Sequence, residues 1–348
     1  MDDRKLLNWF KRRKRSFPWR EAITPYRVWI SEIMLQQTAA SYVVEYFNQF
    51  MERFPSVEDL AFAKEEEVIK AWEGLGYYSR ARNLQKTARI ICESYQGTVP
   101  STKEALLALP GIGPYTAGAI LSFAFQKKAA AVDGNVLRVM ARFHGIEEEI
   151  DLPKTKRLIE KMTEEALPEK EAHVVMESLI ELGATYCKKR AQCSRCPLIS
   201  ECQAFQKKKV DQIPRKKKQV LLKPLYRFVP ILQFDKSVRV IKREANVMEG
   251  LYEFPFIELD EKPIVDLLNE DFLLKKWEIK AQKITQFPSV VHTFTRFKAH
   301  LFPALFISET PLENMQPIKK LYKLPFSSGH RKVEHFLTQI YKQVSEKS

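Results

Sequence analysis

The chain has 348 residues, more than one hydrophobic core normally organises, so two domains are predicted. Its formal net charge of +14 indicates a polyanionic partner, most often nucleic acid, although a basic but otherwise ordinary protein is the alternative on charge alone. No apolar run approaches the roughly 18 residues of a membrane-spanning helix, and the amino-terminal residues lack the apolar core of a signal peptide. We therefore expect a cytoplasmic protein, nucleoid-associated if bacterial, with no membrane partner.

Up to about residue 205, apolar residues recur at the three- and four-residue spacing of amphipathic helices. Examples are Leu60, Val68, Ile69, Trp72 and Leu75. The pattern predicts a mainly α-helical domain over residues 1–205.

The composition then changes. Residues 206–223 hold eight Lys or Arg and little that could pack, which predicts a basic interdomain linker. Segments such as 225–234 and 290–307 are rich in β-branched and aromatic residues, and residues 333–344 carry the apolar stripe of a final helix. The second domain, residues 224–348, is therefore predicted to be α+β.

Four cysteines lie close together in the chain, at Cys187, Cys193, Cys196 and Cys202. Such clustering is unusual for buried structural cysteines, and four thiolates this close can converge on an iron–sulfur cluster or a structural zinc. A single CxxC flanked on each side by five residues favours a four-iron cluster. Zinc and disulfides are the alternatives.

The string LPGIGPYTAGAI at 109–120 joins two predicted helices. Gly111 and Gly113 allow a tight turn whose backbone N–H groups could hold a phosphate at a helix N-terminus. This is the form of a helix–hairpin–helix, which contacts a nucleic-acid backbone without reading bases. A plain glycine-rich turn is the alternative.

Two carboxylates could carry chemistry. Glu32 lies in the apolar run VWISEIMLQQT, so it is either on a solvent face or partly buried with the raised pKa that a general acid needs. Asp133 in AVDGNVLRV is either a helix N-cap or a carboxylate near the sugar of a bound nucleotide. Together they suggest cleavage of a glycosidic bond through an oxocarbenium-like transition state. On a DNA-binding scaffold the leaving group would be a flipped base.

At this point the chain resembles the MutY-type adenine DNA glycosylases, members of the endonuclease III superfamily of helix–hairpin–helix glycosylases. The resemblance covers nearly the whole chain, and the order and spacing of its motifs are specific. Besides the hairpin, the aspartate string and the four cysteines, the motifs are FPWR at 17–20, PYRVWISEIMLQQT at 25–38, GLGYYSRARNL at 74–84 and ELGATYC at 181–187.

The resemblance implies a two-part helical glycosylase domain followed by a Nudix-like lesion-recognition domain. It implies one [4Fe–4S] cluster on the four cysteines, which shapes a basic DNA-contacting loop carrying Lys188, Lys189 and Arg190. This loop is one residue shorter than usual in the family. A monovalent cation at the hairpin–phosphate contact and a monomer are further expectations.

The resemblance also assigns roles to individual residues. Glu32 would protonate adenine N7 and Asp133 would stabilise or capture the sugar C1′, with support from Tyr115 and Asn135. The residues expected to line the adenine pocket are Trp19, Arg20, Leu35 and Glu177. Trp19 and Leu35 could instead belong to the hydrophobic core, and Glu177 could be a charged residue on a helix surface. The residues expected to contact or wedge into DNA are Gln37, Tyr77, Leu75, Gly111 and Gly113.

Tyr115 occupies the place where relatives with strong lyase activity carry a lysine, so the resemblance implies a monofunctional glycosylase. Its substrate would be duplex DNA with adenine opposite 8-oxoguanine or guanine. The family's Phe-Ser-His lesion-reading triplet appears as Phe294, Thr295 and Arg296. The second domain has no acidic Nudix box, so nucleotide hydrolysis is not expected.

Three other functions stay open at this stage. They are an endonuclease III-like glycosylase and lyase for oxidised pyrimidines, a non-catalytic iron–sulfur DNA-binding protein, and a zinc-folded DNA-binding protein. Tyr115 and the second domain argue against the first, and the pair Glu32 and Asp133 argues against the second.

Overall fold

The computed structural model describes residues 1–217, 221–244 and 248–345, with side chains through Tyr341. These residues form two units. Unit 1 comprises Met1–Ala63 and Asn83–Lys218, and unit 2 comprises Lys64–Arg82 and Gln219–Ser348. The predicted contiguous domains differ from this division, because residues 64–82 group with the carboxyl-terminal part of the chain.

Unit 1 is built from helices. The helices up to the end of the cysteine segment are α1 (Asp3–Arg13), α2 (Pro18–Glu21), α3 (Pro25–Leu35), α4 (Ala40–Arg53), α5 (Val57–Phe62), α6 (Glu65–Ala71, in unit 2), α7 (Ser79–Tyr95, which begins in unit 2), α8 (Lys103–Leu107), α9 (Pro114–Ala119), α10 (Gly134–His144), α11 (Pro153–Ala166), α12 (Ala172–Thr185) and α13 (Gln203–Gln206). A π-helical turn, Ile120–Ala124, continues α9. Across the described ranges, none of the helices is both long and apolar enough to span a bilayer.

Helix α3 is buried on all its sides. Thr24 caps its N-terminus by accepting a hydrogen bond from the Arg27 N–H at 3.2 Å, and Pro25 takes the first helical position, where its missing N–H is harmless. The buried residues of this helix are Tyr26, Val28, Trp29, Ile30, Ser31, Glu32, Ile33 and Met34. A polar side chain in the middle of α3 is therefore removed from solvent.

Helices α10 and α12 approach each other closely. A Cβ atom on Gly183 would lie 2.6 Å from Asn135 Cβ and 2.9 Å from Asn135 O, so only glycine permits this packing. The contact fixes the start of α10, and with it Asp133, against the helix that carries Glu177.

The first part of the predicted linker is not free of contacts. Ile213 is 2% exposed, the Ile150 N–H donates to Arg215 O at 3.0 Å, and Lys209 pairs with Glu147. The buried guanidinium of Arg142 also donates to the backbone of this segment. Backbone carbonyls and one apolar side chain therefore attach residues 206–217 to unit 1. Residues 218–220 of the predicted linker lie outside the described residues.

Unit 2 contains a mixed sheet. Its strands are β1 (Lys223–Phe234), β2 (Ser237–Arg239), β5 (Ile257–Leu259), β6 (Ala281–Gln286), β7 (Val290–Phe294), β8 (Phe297–Ser308) and β9 (Met315–Pro317), while β3 (Ile241–Lys242) and β4 (Tyr252–Glu253) form a separate antiparallel pair. The path of neighbouring strands is β6-β8-β1-β2-β9, with β5 on β1 and β7 on β8. Strands β1 and β8 are parallel, and the other pairs are antiparallel.

Both faces of this sheet are covered. Along β1, Phe228 and Leu232 belong to one apolar cluster, while Val229 and Ile231 belong to the other, as the two-residue period of a strand requires. Helix α14 (Glu270–Trp277) contributes to the first cluster and α15 (Ser328–Ser345) to the second. The carboxyl-terminal region is thus α+β, as the sequence predicts.

Candidate active site

A cavity of about 640 Å³ opens in unit 1. Its lining includes all of the residues assigned by resemblance to catalysis or to the adenine pocket, namely Glu32, Asp133, Tyr115, Asn135, Trp19, Arg20, Leu35 and Glu177. Gln37 lines it as well. Residues from α2, α3, α9, α10 and α12 are therefore brought to one site.

Glu32 is 6% exposed, so the buried alternative is the one observed. Burial raises the pKa of its carboxyl to about 7, and the neighbouring charges of Asp133 and Glu177 act in the same direction. A hydrogen bond from Tyr115 and the charge of Arg20 oppose the rise in pKa. At neutral pH, a carboxyl with this pKa is present both as acid and as carboxylate.

Tyr115 lies in the first turn of α9, behind Pro114 at the first helical position. Its hydroxyl donates to Glu32 Oε2 at 2.5 Å. Burial, followed by the charges of Glu32 and Asp133, raises the pKa of Tyr115 well above its usual value. The phenol therefore stays protonated and acts as a fixed donor to Glu32.

Asp133 is both an N-cap and a lining residue of the cavity, so its two alternatives are not exclusive. Its Oδ1 accepts from the N–H groups of Asn135 at 2.9 Å and Val136 at 2.8 Å, and its Oδ2 accepts from Asn135 Nδ2 at 2.7 Å. Burial raises the pKa of Asp133, while these three hydrogen bonds act to lower it. The carboxylate thus has a fixed orientation at the start of α10.

Two arginines of the cavity share a buried carboxylate. Glu181 is fully buried, and it accepts from Arg15 Nε at 2.6 Å and from Arg20 Nη1 at 3.4 Å. Arg20 Nε also lies 3.8 Å from Glu177 Oε1. Neither Arg15 nor Glu181 is among the site residues expected from the sequence. The available signal was a glutamate inside the apolar run of α12, the same signal that singled out Glu32.

Trp19 packs flat against Phe17, with ring centroids 4.8 Å apart and planes 8° apart. It is 6% exposed yet lines the cavity, so core packing and pocket lining coexist in one side chain. Glu177 is partly buried, and burial raises its pKa, which the charge of Arg20 opposes.

The hairpin glycines lie between α8 and α9, and both are exposed. Gly111 has φ of +78°, and a Cβ there would lie 2.8 Å from Asn83 Cβ. Gly113 is the N-cap residue of α9, with φ of −96° and open space around it. The turn therefore leaves backbone accessible at the start of α9.

Gln37 and Tyr77, the expected wedge residues, share an unusual backbone conformation, with φ of +59° and +49°. Tyr77, in unit 2, is 52% exposed. Leu75 is only 6% exposed, and this departs from the expected DNA contact, because little of its side chain is accessible.

The four cysteines of the predicted cluster line one small cavity of unit 1. All of them have free thiols, so the disulfide alternative is wrong. Across the described ranges, no three or more His, Cys, Asp or Glu side chains are already arranged to hold a metal ion. Two 3-10 turns, Cys193–Arg195 and Ile199–Glu201, shape the segment.

Arg142 of α10 forms hydrogen bonds that hold the cysteine segment in place. The residue is 3% exposed, and its Nη1 donates to Lys188 O at 2.7 Å and lies 3.4 Å from Cys187 Sγ. Its Nη2 donates to Lys189 O at 3.2 Å. The side chains of Lys188, Lys189 and Arg190 are exposed. Arg142 therefore anchors the backbone of the basic loop and leaves its charges accessible.

Unit 2 has its own cavity of about 430 Å³. Leu75, Tyr77, Phe294 and Thr295 line it. Arg296, the third residue of the expected lesion-reading triplet, is exposed, and its guanidinium lies over the Phe297 ring at 5.4 Å instead. Phe294 and Thr295 of the expected triplet therefore line the same cavity, and Arg296 does not.

A profile of HhH-GPD superfamily base excision DNA repair proteins matches residues 30–169. The adenine DNA glycosylase of Buchnera aphidicola subsp. Schizaphis graminum is 34% identical over 319 residues, which are 90% of this chain and 90% of that protein. This chain belongs to the adenine DNA glycosylase family.

Family members from distant organisms match as well. The human adenine DNA glycosylase is 39% identical over 218 residues, which cover 60% of this chain and 40% of that protein. Among solved structures, a thermostable thymine-DNA glycosylase is similar with a TM-score of 0.55 and 30% identity, over 59% of this chain and 95% of that one. A non-covalent endonuclease III–DNA complex is similar with a TM-score of 0.51 and 26% identity, over 59% of this chain and 94% of that one. The predicted family and its helical glycosylase fold are confirmed.

Proposed function

We propose that the chain is a monofunctional DNA glycosylase of base excision repair that hydrolyses the N-glycosidic bond of adenine opposite 8-oxoguanine or guanine. The observation that carries this proposal is the buried Glu32, whose pKa of about 7 is accompanied by the Tyr115 hydrogen bond and by Asp133 in the same cavity. Family membership supports the substrate class.

Glu32 is the general acid. Because its pKa lies near neutrality, a useful fraction carries a proton that can pass to adenine N7. Protonation turns adenine into a better leaving group, so the C1′–N9 bond breaks with the electron pair moving to the base. The Tyr115 hydroxyl holds one carboxyl oxygen and thereby orients the other oxygen toward the cavity.

Asp133 faces the positive charge that develops on the sugar. Its three hydrogen bonds keep the carboxylate in one orientation, which pre-organises it for an oxocarbenium-like transition state. Water completes the hydrolysis, and an abasic site remains. No amine is available at Tyr115 for a Schiff base, so the endonuclease III-like lyase reaction is the weaker candidate.

Adenine reaches the cavity only after it leaves the helical stack. We assign its binding to the stacked Trp19, to Leu35 and to the polar groups of Arg20 and Glu177. Gln37 and Tyr77 would fill the space that the flipped base leaves, and the exposure of both residues supports this.

DNA contacts outside the cavity are proposed for the hairpin and the basic loop. Gly111 and Gly113 are both exposed, and we propose that backbone N–H groups of this turn hold a phosphate. Lys188, Lys189 and Arg190 add exposed positive charge. Such contacts position the duplex without reading its sequence.

We propose that Cys187, Cys193, Cys196 and Cys202 would hold a [4Fe–4S] cluster. Four free thiols line one cavity, and burial together with the neighbouring cysteines raises the pKa of Cys196 to about 12. Keeping Cys196 as a thiolate therefore requires bound positive charge. When bound, the cluster would supply a rigid cross-link for the segment. Iron and sulfide analysis of the purified protein, with zinc measured in parallel, tests this assignment.

We further propose that unit 2 contains a Nudix-like domain that recognises the base opposite the adenine. A sheet with helices on both faces and a cavity that includes Tyr77, Phe294 and Thr295 support this role. Thr295 offers a hydroxyl at the two-residue turn between β7 and β8.

One assay tests the proposed function. The protein is incubated with a duplex that holds adenine opposite 8-oxoguanine, and strand breaks are measured with and without alkali. Breaks that appear only after alkali are expected, because a monofunctional glycosylase leaves an intact abasic strand. Breaks without alkali would indicate a lyase. Product from a thymine glycol duplex, with none from the adenine duplex, would overturn the proposal.

A further inference from the structure

Ser327 carries a buried hydroxyl that lacks a partner. The residue is 2% exposed, and its Oγ makes no hydrogen bond with any part of the chain that the structure describes. Buried hydroxyls are normally paired, because an unmet hydrogen bond is costly in a low-dielectric interior. Ser327 therefore calls for an explanation beyond packing.

The position of Ser327 makes this hydroxyl more unusual. Ser327 comes directly before α15, and its backbone oxygen accepts from the Arg331 N–H at 2.8 Å. Serine in such a position usually turns its hydroxyl onto an N–H of the first helical turn. Here that cap is not made, so the hydroxyl stays available to another group.

Ser327 also lines the 430 Å³ cavity of unit 2, together with Tyr77, Phe294 and Thr295. Aromatic and aliphatic side chains supply much of this cavity wall. An unpaired hydroxyl in such a wall suits a flat, largely apolar ligand that has one polar edge. A nucleobase has this chemistry.

We propose that Ser327 reads the edge of the base opposite the adenine and is a specificity-determining residue for the excision reaction. The inference rests on the proposed lesion-recognition role of unit 2. It deepens that role, because it adds a hydroxyl from the start of α15 to the one on the β7–β8 turn.

The chemistry of the lesion selects the atom that is read. 8-Oxoguanine differs from guanine by an O8 acceptor and an N7–H donor. The N–H groups of Ser328, Gly329 and His330 precede the first hydrogen bond within α15, and a helix N-terminus favours groups of negative partial charge. The Ser327 hydroxyl therefore donates to O8, which guanine lacks.

A backbone phosphate is the competing ligand at this helix N-terminus, and it fits less well. Phosphates of a continuous strand remain near the protein surface, whereas the Ser327 side chain is buried. The neighbouring Ser328 is exposed and lines the same cavity, so a phosphate would meet Ser328 first. The two serines thus form a matched pair for the test.

The experiment compares Ser327→Ala, Ser328→Ala and the unchanged chain on two duplexes, with adenine opposite 8-oxoguanine or opposite guanine. Excision is followed under single-turnover conditions, and duplex affinity is measured in a Glu32→Gln background so that no product forms. For Ser327→Ala, we expect a loss of roughly tenfold on the 8-oxoguanine duplex and an unchanged guanine duplex. Ser328→Ala should leave the ratio of excision rates on the two duplexes unchanged.

Thermal unfolding separates folding from recognition. Because the Ser327 hydroxyl has no partner within the described chain, Ser327→Ala should keep or slightly raise the melting temperature. The inference would be overturned if Ser327→Ala and the unchanged chain had the same ratio of excision rates on the 8-oxoguanine and guanine duplexes. An equal loss of excision rate on both duplexes is one such outcome. If the unchanged chain excises adenine from neither duplex, the proposed function itself fails. If it excises from both without preference, lesion recognition by unit 2 fails.

Discussion

The Tyr115 hydroxyl donates to the Glu32 carboxyl over 2.5 Å, inside a cavity that also holds Asp133. This hydrogen bond lowers the pKa of Glu32, while burial raises it more strongly. Burial and the Tyr115 hydrogen bond are thus the two largest opposing influences on the pKa of about 7. Removing the phenol hydroxyl tests the strength of its effect on this pKa.

Tyr115→Phe should raise the pKa of Glu32 further, because the lost hydrogen bond favours the carboxylate. If protonated Glu32 is the acid, as we propose, the alkaline fall of the single-turnover rate should move to higher pH. Glu32→Gln should abolish excision while duplex binding survives. The measurement is a pH–rate profile between about pH 5 and 9. An alkaline limb that stays in place in Tyr115→Phe would remove the phenol from this role.

Glu32 should also make folding stability depend on pH. Its pKa rises from 4.5 to about 7 on folding, so the folded chain holds an additional proton between these values. The favourable contribution is present below about pH 4.5 and is lost as pH rises through about 7. Glu32→Gln should remove up to about 3 kcal/mol of this dependence. Urea unfolding of both proteins at pH 5 and pH 8 measures it. An equal difference in unfolding free energy at the two pH values would contradict the prediction.

Asp133 caps α10, and substitutions can separate this observed role from the catalytic role that we propose for its charge. Asparagine is a good N-cap, so Asp133→Asn should lose excision and keep most of the stability, whereas Asp133→Ala should lose both. The cost of the alanine change is about 1 kcal/mol of unfolding free energy. Single-turnover rates and urea unfolding are measured on both variants. Excision at the normal rate by Asp133→Asn would show that the negative charge is not required.

The hairpin offers a matched glycine pair. Gly111→Ala should cost about 1–2 kcal/mol, because its φ of +78° strains an alanine and the new Cβ would meet Asn83. Gly113→Ala has an ordinary φ and open space, so it should fold normally. Unfolding free energies and affinity for undamaged duplex are compared. Equal destabilisation by both changes would contradict the geometric argument. A loss of duplex affinity in Gly113→Ala alone would indicate that its Cβ obstructs a phosphate.

The motifs named nine residues that line the cavity around Glu32, because the resemblance groups motifs that are distant from one another in the chain. The sequence left the choice between solvent and interior for Glu32 open, since periodicity alone does not distinguish a helix buried on all sides from a surface helix. The pairing of Arg15 with Glu181 was missed because it joins α12 to the segment before α2, and a local sequence pattern does not show such a distant partner. The attachment of residues 206–217 was missed for a similar reason, since the partner is Arg142 and its acceptors are backbone oxygens, which every sequence has.

Arg142 provides the last test, because its buried guanidinium joins the cysteine segment to residues 210–213. Its donors reach the carbonyl oxygens of Lys188, Lys189, Val210 and Ile213. Lysine keeps the charge but lacks the planar fork of donors, so Arg142→Lys should leave several of these carbonyls unpaired. We expect a lower iron content per chain and weaker binding to undamaged duplex, since the basic loop loses its anchor.

The exposed Arg157, changed to lysine, is the control for the loss of a guanidinium elsewhere. Iron is measured on the purified proteins, and duplex affinity is measured at two salt concentrations, because contacts from the loop to phosphates are salt-dependent. Iron content and affinity that match the Arg157→Lys control would show that the segment holds its shape without Arg142. Loss of iron with unchanged affinity would show that the guanidinium supports the cysteines alone, and that the basic loop is positioned by other contacts.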